Sequence, residues 1–246
     1  MPITAQQFGD FDKAYDHINK ALFANQLPDC FITINKQAHS AGYYRHGEFV
    51  KKDGNHTDEI SLNYNLFLQR TTEYIISTLV HEMCHQWQAH CGKDKPRKSY
   101  HNAEFAQKME SIGLMPSSTG EKGGHKTGQK MSDYLIKGGQ LDKQIKKIVS
   151  NGFTIRWTSF ETAHQIKKTQ QQLQSDEELI KLGVNTELLT AVANIKFVQE
   201  GEPTTSKPKT NSKTKFTCPE CQQNAWAKPT AYINCGLCEL TMEINE

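Results

Sequence analysis

The chain contains no long hydrophobic run. Its longest apolar stretch lies near Tyr74 to Val80 and is interrupted by Ser77 and Thr78, well short of the roughly 20 residues that cross a bilayer. The polar N-terminus, residues 1–9, also lacks the apolar core of a signal peptide. We therefore predict a soluble, cytoplasmic protein with no membrane partner, a location that would also allow association with the nucleoid.

The chain also lacks a strong excess of charge of either sign. Its 29 basic and 27 acidic residues leave a net charge of +2, so overall charge does not indicate a nucleic-acid-binding protein, and any such role depends on local basic patches. Apolar residues make up 36% of the 246 residues, which is slightly low for a compact globule and indicates a polar linker or tail. The length fits one medium-sized domain and a small module.

Hydrophobic spacing predicts an α+β fold. Apolar residues from Phe8 to Leu22 recur at three- and four-residue steps, which indicates an amphipathic helix. Three segments of strand character follow, and an Asp-Gly-Asn turn at 53–55 separates the last two, so we predict a small antiparallel sheet. These strands are Cys30 to Asn35, Gly42 to Val50 and Ile60 to Asn65. Two further helices are expected over about Thr71 to His90 and from His101 to Ile112.

Changes in composition divide the chain further. We predict a first domain at 1–115, an extension of mixed or partly disordered structure at 116–200, a basic linker at 201–215 and a C-terminal module at 216–246. The linker is rich in Pro, Thr, Ser and Lys. Within the extension we expect a loop at 116–128, a helix at 141–149, a strand at 153–157, a solvated or partly disordered helix at 165–182 and another helix at 185–199.

An H-E-x-x-H sequence at positions 81–85 lies within the helix predicted over Thr71 to His90. Residues four apart lie on the same helix face, so His81 and His85 can bind one divalent ion. Glu82 then lies beside the open coordination position, where a carboxylate can take a proton from water. The pattern predicts a zinc centre that hydrolyses peptide bonds without a covalent intermediate.

A catalytic zinc ion requires a third protein ligand and one open position. The extended H-E-x-x-H-x-x-G-x-x-H arrangement is excluded, because the chain has Gln88 and Cys91 where that pattern needs Gly and His. Three candidates remain, namely His90, His101 and Glu104. We favour His101, which begins the next predicted helix. The separation of Glu104 from His85 is close to that found in zinc proteases with a glutamate ligand. If His101 is the ligand, Glu104 instead supports a ligand or supplies a charge at the helix N-terminus.

Four cysteines near the C-terminus form two C-x2-C pairs separated by thirteen residues. In a reducing compartment this spacing predicts a zinc ribbon, in which four thiolates close the shell of a structural zinc ion. So short a segment obtains most of its folding free energy from the metal. The predicted ligands are Cys218, Cys221, Cys235 and Cys238.

Aromatic and basic residues lie in and before this ribbon. Trp226, Lys228 and Tyr232 lie between the cysteine pairs, and four lysines precede them, at 207, 209, 213 and 215. Aromatics that stack on bases beside a cationic segment suit single-stranded nucleic acid. Alternatively, the aromatics pack the small module and the lysines belong to a solvated linker. A second basic stretch at 93–98 either brings a phosphate backbone near the cleft or keeps the loop soluble.

Several of these segments resemble the SprT-like (Spartan-type) zinc metalloprotease family with a C-terminal zinc ribbon. The resemblance rests on LVHEMCHQW at 79–87, GK at 92–93 and YHNAEF at 100–105. The family often has G-H-G around its third histidine, where this chain has Y-H-N. The resemblance implies a minigluzincin-like fold, in which a helix and a small sheet precede two metal-binding helices. It also implies cleavage of proteins bound or crosslinked to DNA, with DNA as an activator.

The leading hypothesis is therefore a zinc endopeptidase, a hydrolase of DNA–protein crosslink repair with one catalytic and one structural Zn²⁺. In it, Glu82 is the general base on a zinc-bound water, and His81, His85 and His101 hold the zinc. An oxyanion donor is also expected. The candidate donors are Arg97, Tyr100, His125 and Tyr134. The expected partners are DNA-associated proteins and DNA, preferably single-stranded.

Two other functions fit parts of the sequence. One is a non-proteolytic zinc protein associated with DNA or transcription, in which the helix site is structural or degenerate. The presence of Glu82 argues against it, because a purely structural site needs no base. The other is a general cytosolic metalloprotease whose ribbon only selects protein partners.

Overall fold

The computed structural model describes residues 2–94, 96–97, 99–172, 183–185, 188–190 and 214–244. The chain divides into two compact units, Met1–Ile195 and Lys196–Glu246. Most of the predicted linker at 201–215, most of the helix predicted at 185–199 and part of the segment at 165–182 lie outside the described residues, as do Lys95 and Lys98. The domain boundaries proposed from composition stay a prediction. None of the described helices is long and apolar enough to span a bilayer.

Helices and strands of the first unit follow one another in an α+β arrangement, so the predicted fold class is confirmed. In chain order they are α1 (Ile3–Leu22), β1 (Cys30–Asn35), β2 (Gly42–Val50), β3 (His56–Asn63), α2 (Leu66–Gln69), α3 (Thr72–Cys91), α4 (Ala103–Ile112), β4 (Leu114–Ser117), β5 (Ser132–Leu135), α5 (Gln140–Ser150) and α6 (Phe160–Gln172). The second unit contains β6 (Thr214–Thr217), β7 (Asn224–Ala227) and β8 (Glu243–Ile244).

The first sheet has the strand order β1-β3-β2. β2 and β3 form the antiparallel hairpin that the turn at 53–55 predicts, whereas β1 runs parallel to β3. The loop from β1 to β2 crosses the end of β3, where the Asn63 side-chain amide donates to the carbonyls of Gln37 and Ser40 at 3.0 and 2.9 Å. β3 is consequently the central strand, and its last six residues are buried.

Helix α3 contacts β2 and β3 and carries the H-E-x-x-H sequence. Thr71 caps its N-terminus, since its Oγ1 accepts a hydrogen bond from the Tyr74 N–H at 3.3 Å. Ile76, Leu79 and Met83 are fully buried, so the apolar face of α3 lies in the core. The predicted helix over Thr71 to His90 matches α3 to within one residue at each end.

A hairpin follows α4, and the sequence predicts neither of its strands; the loop predicted at 116–128 lies mostly between them. β4 pairs antiparallel with β5, with Pro116 opposite Asp133. Strands of four residues are too short to show a clear alternation of apolar and polar residues, and a proline argues against a strand. The hairpin therefore depends on contacts that are distant in sequence, and it brings β5 towards α3.

The strand predicted at 153–157 is wrong, although the helix before it agrees with α5. Phe153 and Ile155 are buried, and the Phe153 ring meets that of Phe11 edge to face at 5.4 Å. The Arg156 N–H donates to Gln7 Oε1 at 2.8 Å. The alternation of apolar and polar residues in this segment thus reflects packing against α1 and not pairing with a strand.

We expect Gly113→Ala to destabilise the protein. Gly113 ends α4 with φ 95°, and the left-handed region costs about 1–2 kcal/mol for a residue with a Cβ. A Cβ there would also lie 3.2 Å from the main-chain nitrogens of Gln140 and Leu141. The measurement is urea unfolding followed by far-ultraviolet circular dichroism.

Gly9→Ala is the matched control. Gly9 lies within α1, and a Cβ added at this position would have no heavy atom within 4 Å apart from the backbone of its own helix and its chain neighbours. Alanine should stabilise that helix by about 0.5–1 kcal/mol. Equal free energies of unfolding for the two variants would contradict the strain assigned to Gly113.

Candidate metal centres

Three imidazoles from two segments of the first unit converge. His81 and His85 lie one turn apart on α3, and His101 lies two residues before α4. The Nε2 atom of His101 is 3.3 Å from that of His81 and 3.1 Å from that of His85. One nitrogen from each ring lies within 4.8 Å of the other two. The structure therefore brings together the three histidines that the sequence predicts as ligands.

Hydrogen bonds on the outer side of two rings determine which nitrogens face inward. His81 Nδ1 lies 2.8 Å from Asp133 Oδ2, and His101 Nδ1 lies 3.2 Å from the Gly128 carbonyl oxygen. Each acceptor lacks a hydrogen, so each neutral ring carries its proton on Nδ1. The Nε2 lone pairs of His81 and His101 then point at each other. Two lone pairs so close together repel unless a cation lies between them, so this donor set fits a zinc ion.

The electrostatics of the cluster keep at least two of these rings neutral. Burial, together with repulsion from His81, lowers the pKa of His101 to about 4 and that of His85 well below its ordinary value. Neutral imidazole is the form that binds metal. Burial also acts to lower the pKa of His81, but its hydrogen bond to Asp133, together with attraction to the Glu82 and Asp133 carboxylates, raises that pKa.

The position of the three rings is fixed by packing as well as by hydrogen bonds. Phe105, which is fully buried, stacks on His85 with ring centroids 4.2 Å apart and meets the edges of the other two histidines. The N-cap of α4 holds Phe105 in place, because Asn102 Oδ1 accepts from its N–H at 3.0 Å. The main chain of His101 also pairs with Gly128 through two hydrogen bonds of 2.8 and 3.1 Å.

Glu82 is buried beside this cluster at the start of β2. A Cβ at Gly42 would lie 2.9 Å from the Ser61 carbonyl oxygen and 3.2 Å from Glu82 Cγ, so only glycine allows β2 to approach α3 here. Burial raises the pKa of Glu82 to about 7; attraction to His81 opposes this rise and repulsion from Asp133 adds to it. A carboxyl group in this setting can exchange a proton near neutral pH.

The two other candidates for the third ligand contact different groups. Glu104 accepts from the N–H groups of Lys93 and Asp94 at 2.8 and 3.0 Å, and the first of these lowers its pKa. Glu104 therefore closes the loop that follows α3. His90 Nε2 lies 2.6 Å from Asp58 Oδ2. Only His101 among the three candidates meets the H-E-x-x-H histidines.

Sequence reasoning missed Asp133. This residue lies on β5 and is 52 residues from His81, and no motif connects the two. A carboxylate bound to the outer nitrogen of a ligand histidine orients the ring and makes it more basic. Tyr134, one of the oxyanion candidates, follows Asp133 on the strand and so points to the opposite face.

The other oxyanion candidates lie in loops. The Arg97 guanidinium lies 4.5 Å above the ring centroid of Tyr100, so these two side chains contact each other in the loop that precedes His101. His125 is held by main-chain contacts with Ser118, whose N–H donates to the His125 carbonyl at 2.8 Å.

The second unit brings its four thiols together. The Sγ atoms of the four cysteines predicted as ligands lie within 4.8 Å of one another. Both C-x2-C loops have the same geometry: the N–H of Gln222 donates to the Cys218 carbonyl at 3.0 Å, and that of Glu239 to the Cys235 carbonyl at 2.9 Å. Gln222 and Glu239 both have positive φ, at 60° and 55°. This four-cysteine cluster is compatible with a zinc ribbon.

Trp226 and Tyr232 do not belong to the core of the ribbon. Phe216 and Met242 fill the small core with two of the cysteines, whereas Trp226 is 62% exposed and Tyr232 is 80% exposed. Lys215, which is exposed, lies directly opposite Trp226 in the β6–β7 pair, so the two side chains share a face. Their exposure argues against the interpretation in which Trp226 and Tyr232 pack the small module.

We expect Asp133→Asn to weaken metal binding at the histidine cluster. The amide cannot accept from the His81 N–H with the strength of a carboxylate, and loss of such a partner costs roughly 10–100-fold in metal affinity. The measurement is competition for Zn²⁺ against a fluorescent chelator. Asp16→Asn, an exposed change on α1, is the control and should leave the affinity unchanged. An equal affinity in both variants would show that Asp133 does not support the centre.

Comparisons with known proteins agree with this geometry. The profile of the SprT-like family matches residues 11–124, a range that contains all three converging histidines. The chain is also 36% identical over 58 residues to the "Uncharacterized protein in mucB 3'region" of Salmonella typhimurium. That alignment covers 23% of this chain and 78% of the Salmonella protein. The resemblance seen in the sequence is confirmed, and the chain belongs to the SprT-like family.

Proposed function

We propose that this protein is a zinc-dependent endopeptidase that acts on proteins associated with DNA. Membership of the SprT-like family indicates a metalloprotease-type function. The observation that carries the proposal is the convergence of His81, His85 and His101 beside the buried carboxyl group of Glu82. A structural zinc site would use a closed set of ligands and would need no such acid–base group.

Each residue of the cluster has a distinct role in peptide hydrolysis. Zinc held by the three histidines would act as a Lewis acid and lower the pKa of water. Glu82 would take the proton of the attacking water and deliver it to the amine that leaves. Asp133 would keep His81 oriented with its Nε2 lone pair inward. Phe105 would exclude water from the floor of the site.

The sheet provides a place for an extended substrate. Among the described strands β2 pairs only with β3, so its other edge is free. The first residue of β2, Gly42, lies beside the side chain of Glu82, since a Cβ at this position would be 3.2 Å from Glu82 Cγ. A peptide that adds to this edge as a further strand would carry its scissile bond past Glu82 and could continue on either side. This arrangement favours an endopeptidase.

We expect Glu82→Gln to lower the rate of peptide cleavage by at least about 100-fold, the usual contribution of a general base. The amide has nearly the same shape but cannot take up a proton, so the zinc content should stay at the wild-type value. The measurements are cleavage of a fluorogenic protein substrate and metal analysis of the same sample. Glu73→Gln, an exposed change in the first turn of α3, should leave both unchanged. Wild-type cleavage by Glu82→Gln would disprove the assigned role.

The substrate class is proposed from the ribbon. Trp226 and Tyr232 are exposed, and Lys215 shares a face with Trp226. Bases of single-stranded DNA stack on such aromatics, and nearby lysines neutralise phosphates. The four lysines before the ribbon would add to this attraction, although three of them lie outside the described residues. Binding through the ribbon would hold the protease on DNA, where its substrates are concentrated.

We expect Trp226→Ala to weaken binding of single-stranded DNA by about 1–3 kcal/mol, the range for loss of one stacked base. The measurement is fluorescence anisotropy with a labelled oligonucleotide at fixed salt. Leu237→Ala removes another exposed side chain of the ribbon, which is 78% exposed, and should not change the affinity.

The same oligonucleotide should accelerate cleavage by wild-type protein and not by Trp226→Ala. Equal DNA affinity in all three proteins would exclude the ribbon as the DNA-binding surface. Cleavage that does not respond to DNA would instead favour a general metalloprotease whose ribbon selects proteins.

A further inference from the structure

A second group of metal-binding side chains lies in the first unit and is made of residues that the proposed function does not use. His46 comes from β2, Asp58 from β3 and His90 from the last turn of α3. His46 Nδ1 lies 3.1 Å from Asp58 Oδ1, and His90 Nε2 lies 2.6 Å from Asp58 Oδ2. One candidate ligand atom from each residue lies within 4.8 Å of the other two.

We propose that His46, Asp58 and His90 form a further zinc site, with two imidazole nitrogens and one carboxylate as ligands. The donor set suits Zn²⁺ and its neighbours Ni²⁺ and Cu²⁺, and does not suit Mg²⁺ or Ca²⁺, which bind oxygen. The site goes beyond the proposed function, because none of its residues belongs to the histidine cluster or to the ribbon.

The geometry of the two imidazoles supports this assignment. The ring centroids of His46 and His90 are 5.0 Å apart at an angle of 68°. The three histidine pairs of the other cluster have centroids 4.8–5.3 Å apart and angles of 57–66°. The two clusters therefore place their rings alike, although they use different segments of the chain.

A β-bulge directs His46 towards this site. The register of β2 against β3 shifts between Arg45 and Phe49, and Gly47 inside the bulge has φ 60°. Bulges of this kind redirect side chains and are frequent beside functional sites. The N–H of Gly47 also donates to Asp58 Oδ1 at 2.8 Å, so the bulge fixes the carboxylate as well as the histidine.

Asp58 is prepared as a ligand. It is only 3% exposed, and its Oδ2 accepts from the Tyr44 hydroxyl at 3.0 Å and from the Gln86 amide at 3.3 Å. Such surrounding hydrogen bonds orient a ligand carboxylate. The side chain of His46 is 63% exposed, which leaves a path for the ion and room for a water ligand.

An ion at this site would join the β2–β3 hairpin to the C-terminal turn of α3. The same helix carries His85 one turn earlier, and the same strand begins at Gly42 beside Glu82. Binding would therefore stabilise the two elements that frame the proposed active site.

The test is a metal count on the full-length chain. Wild-type protein and variants are stripped with a chelator, dialysed against excess Zn²⁺, separated from free ion and analysed by mass spectrometry. We expect His46→Ala to bind one zinc ion fewer per chain than wild type. His39→Ala, which removes another exposed histidine before β2, should bind the same number as wild type. An equal count in His46→Ala and wild type would overturn the proposal.

Thermal unfolding separates a metal site from a simple ion pair between His46 and Asp58. If zinc binds here, His46→Ala and wild type differ in melting temperature more with Zn²⁺ than with chelator. A difference of the same size in both conditions would show only an ion pair and would also overturn the proposal. Neither result depends on catalysis, since both compare proteins in which His81, His85 and His101 are intact.

Discussion

Repulsion between inward-pointing nitrogen lone pairs is the constraint on which the first unit depends. The Nε2 atom of His101 lies 3.3 Å from that of His81 and 3.1 Å from that of His85. At such distances, two lone pairs repel each other unless a cation lies between them. The structure nevertheless holds the rings there, through the carboxylate of Asp133, the main chain of Gly128 and the ring of Phe105. These contacts would prepare the cluster for a metal ion before it binds, which would lower the cost of ordering the ligands.

The remaining elements can be understood by what they hold in position. The crossover from β1 to β2 makes β3 the central strand and leaves one edge of β2 unpaired among the described strands. Gly42 then lets this edge come close to Glu82. In the second unit, a core of a few side chains is too small to stabilise a fold alone, so the four thiols and their metal would supply most of the stability. Trp226 and Tyr232 are consequently free to remain on the surface.

Much of the fold and of the candidate site could be predicted from the sequence. The sequence predicts the bounds of β1 and β2 to the residue and those of α3 to within one residue. This is possible because the spacing of apolar residues depends only on neighbouring positions in the chain. The β4–β5 hairpin could not be predicted, since each strand has four residues and β4 contains Pro116. The alternation at 153–157 pointed to a strand, but burial against α1 produces the same pattern.

Two local motifs establish the chemistry available to this protein. H-E-x-x-H places His81 and His85 on one helix face, and the C-x2-C pairs bring four thiolates into two short loops, because both motifs act over a few residues. Which distant groups join these motifs depends on how the chain packs. This packing brought His101 and not Glu104 to the cluster, and it placed Asp133, 52 residues from His81, behind that ring. Such pairings follow from the packing of helices and strands, which no local pattern records.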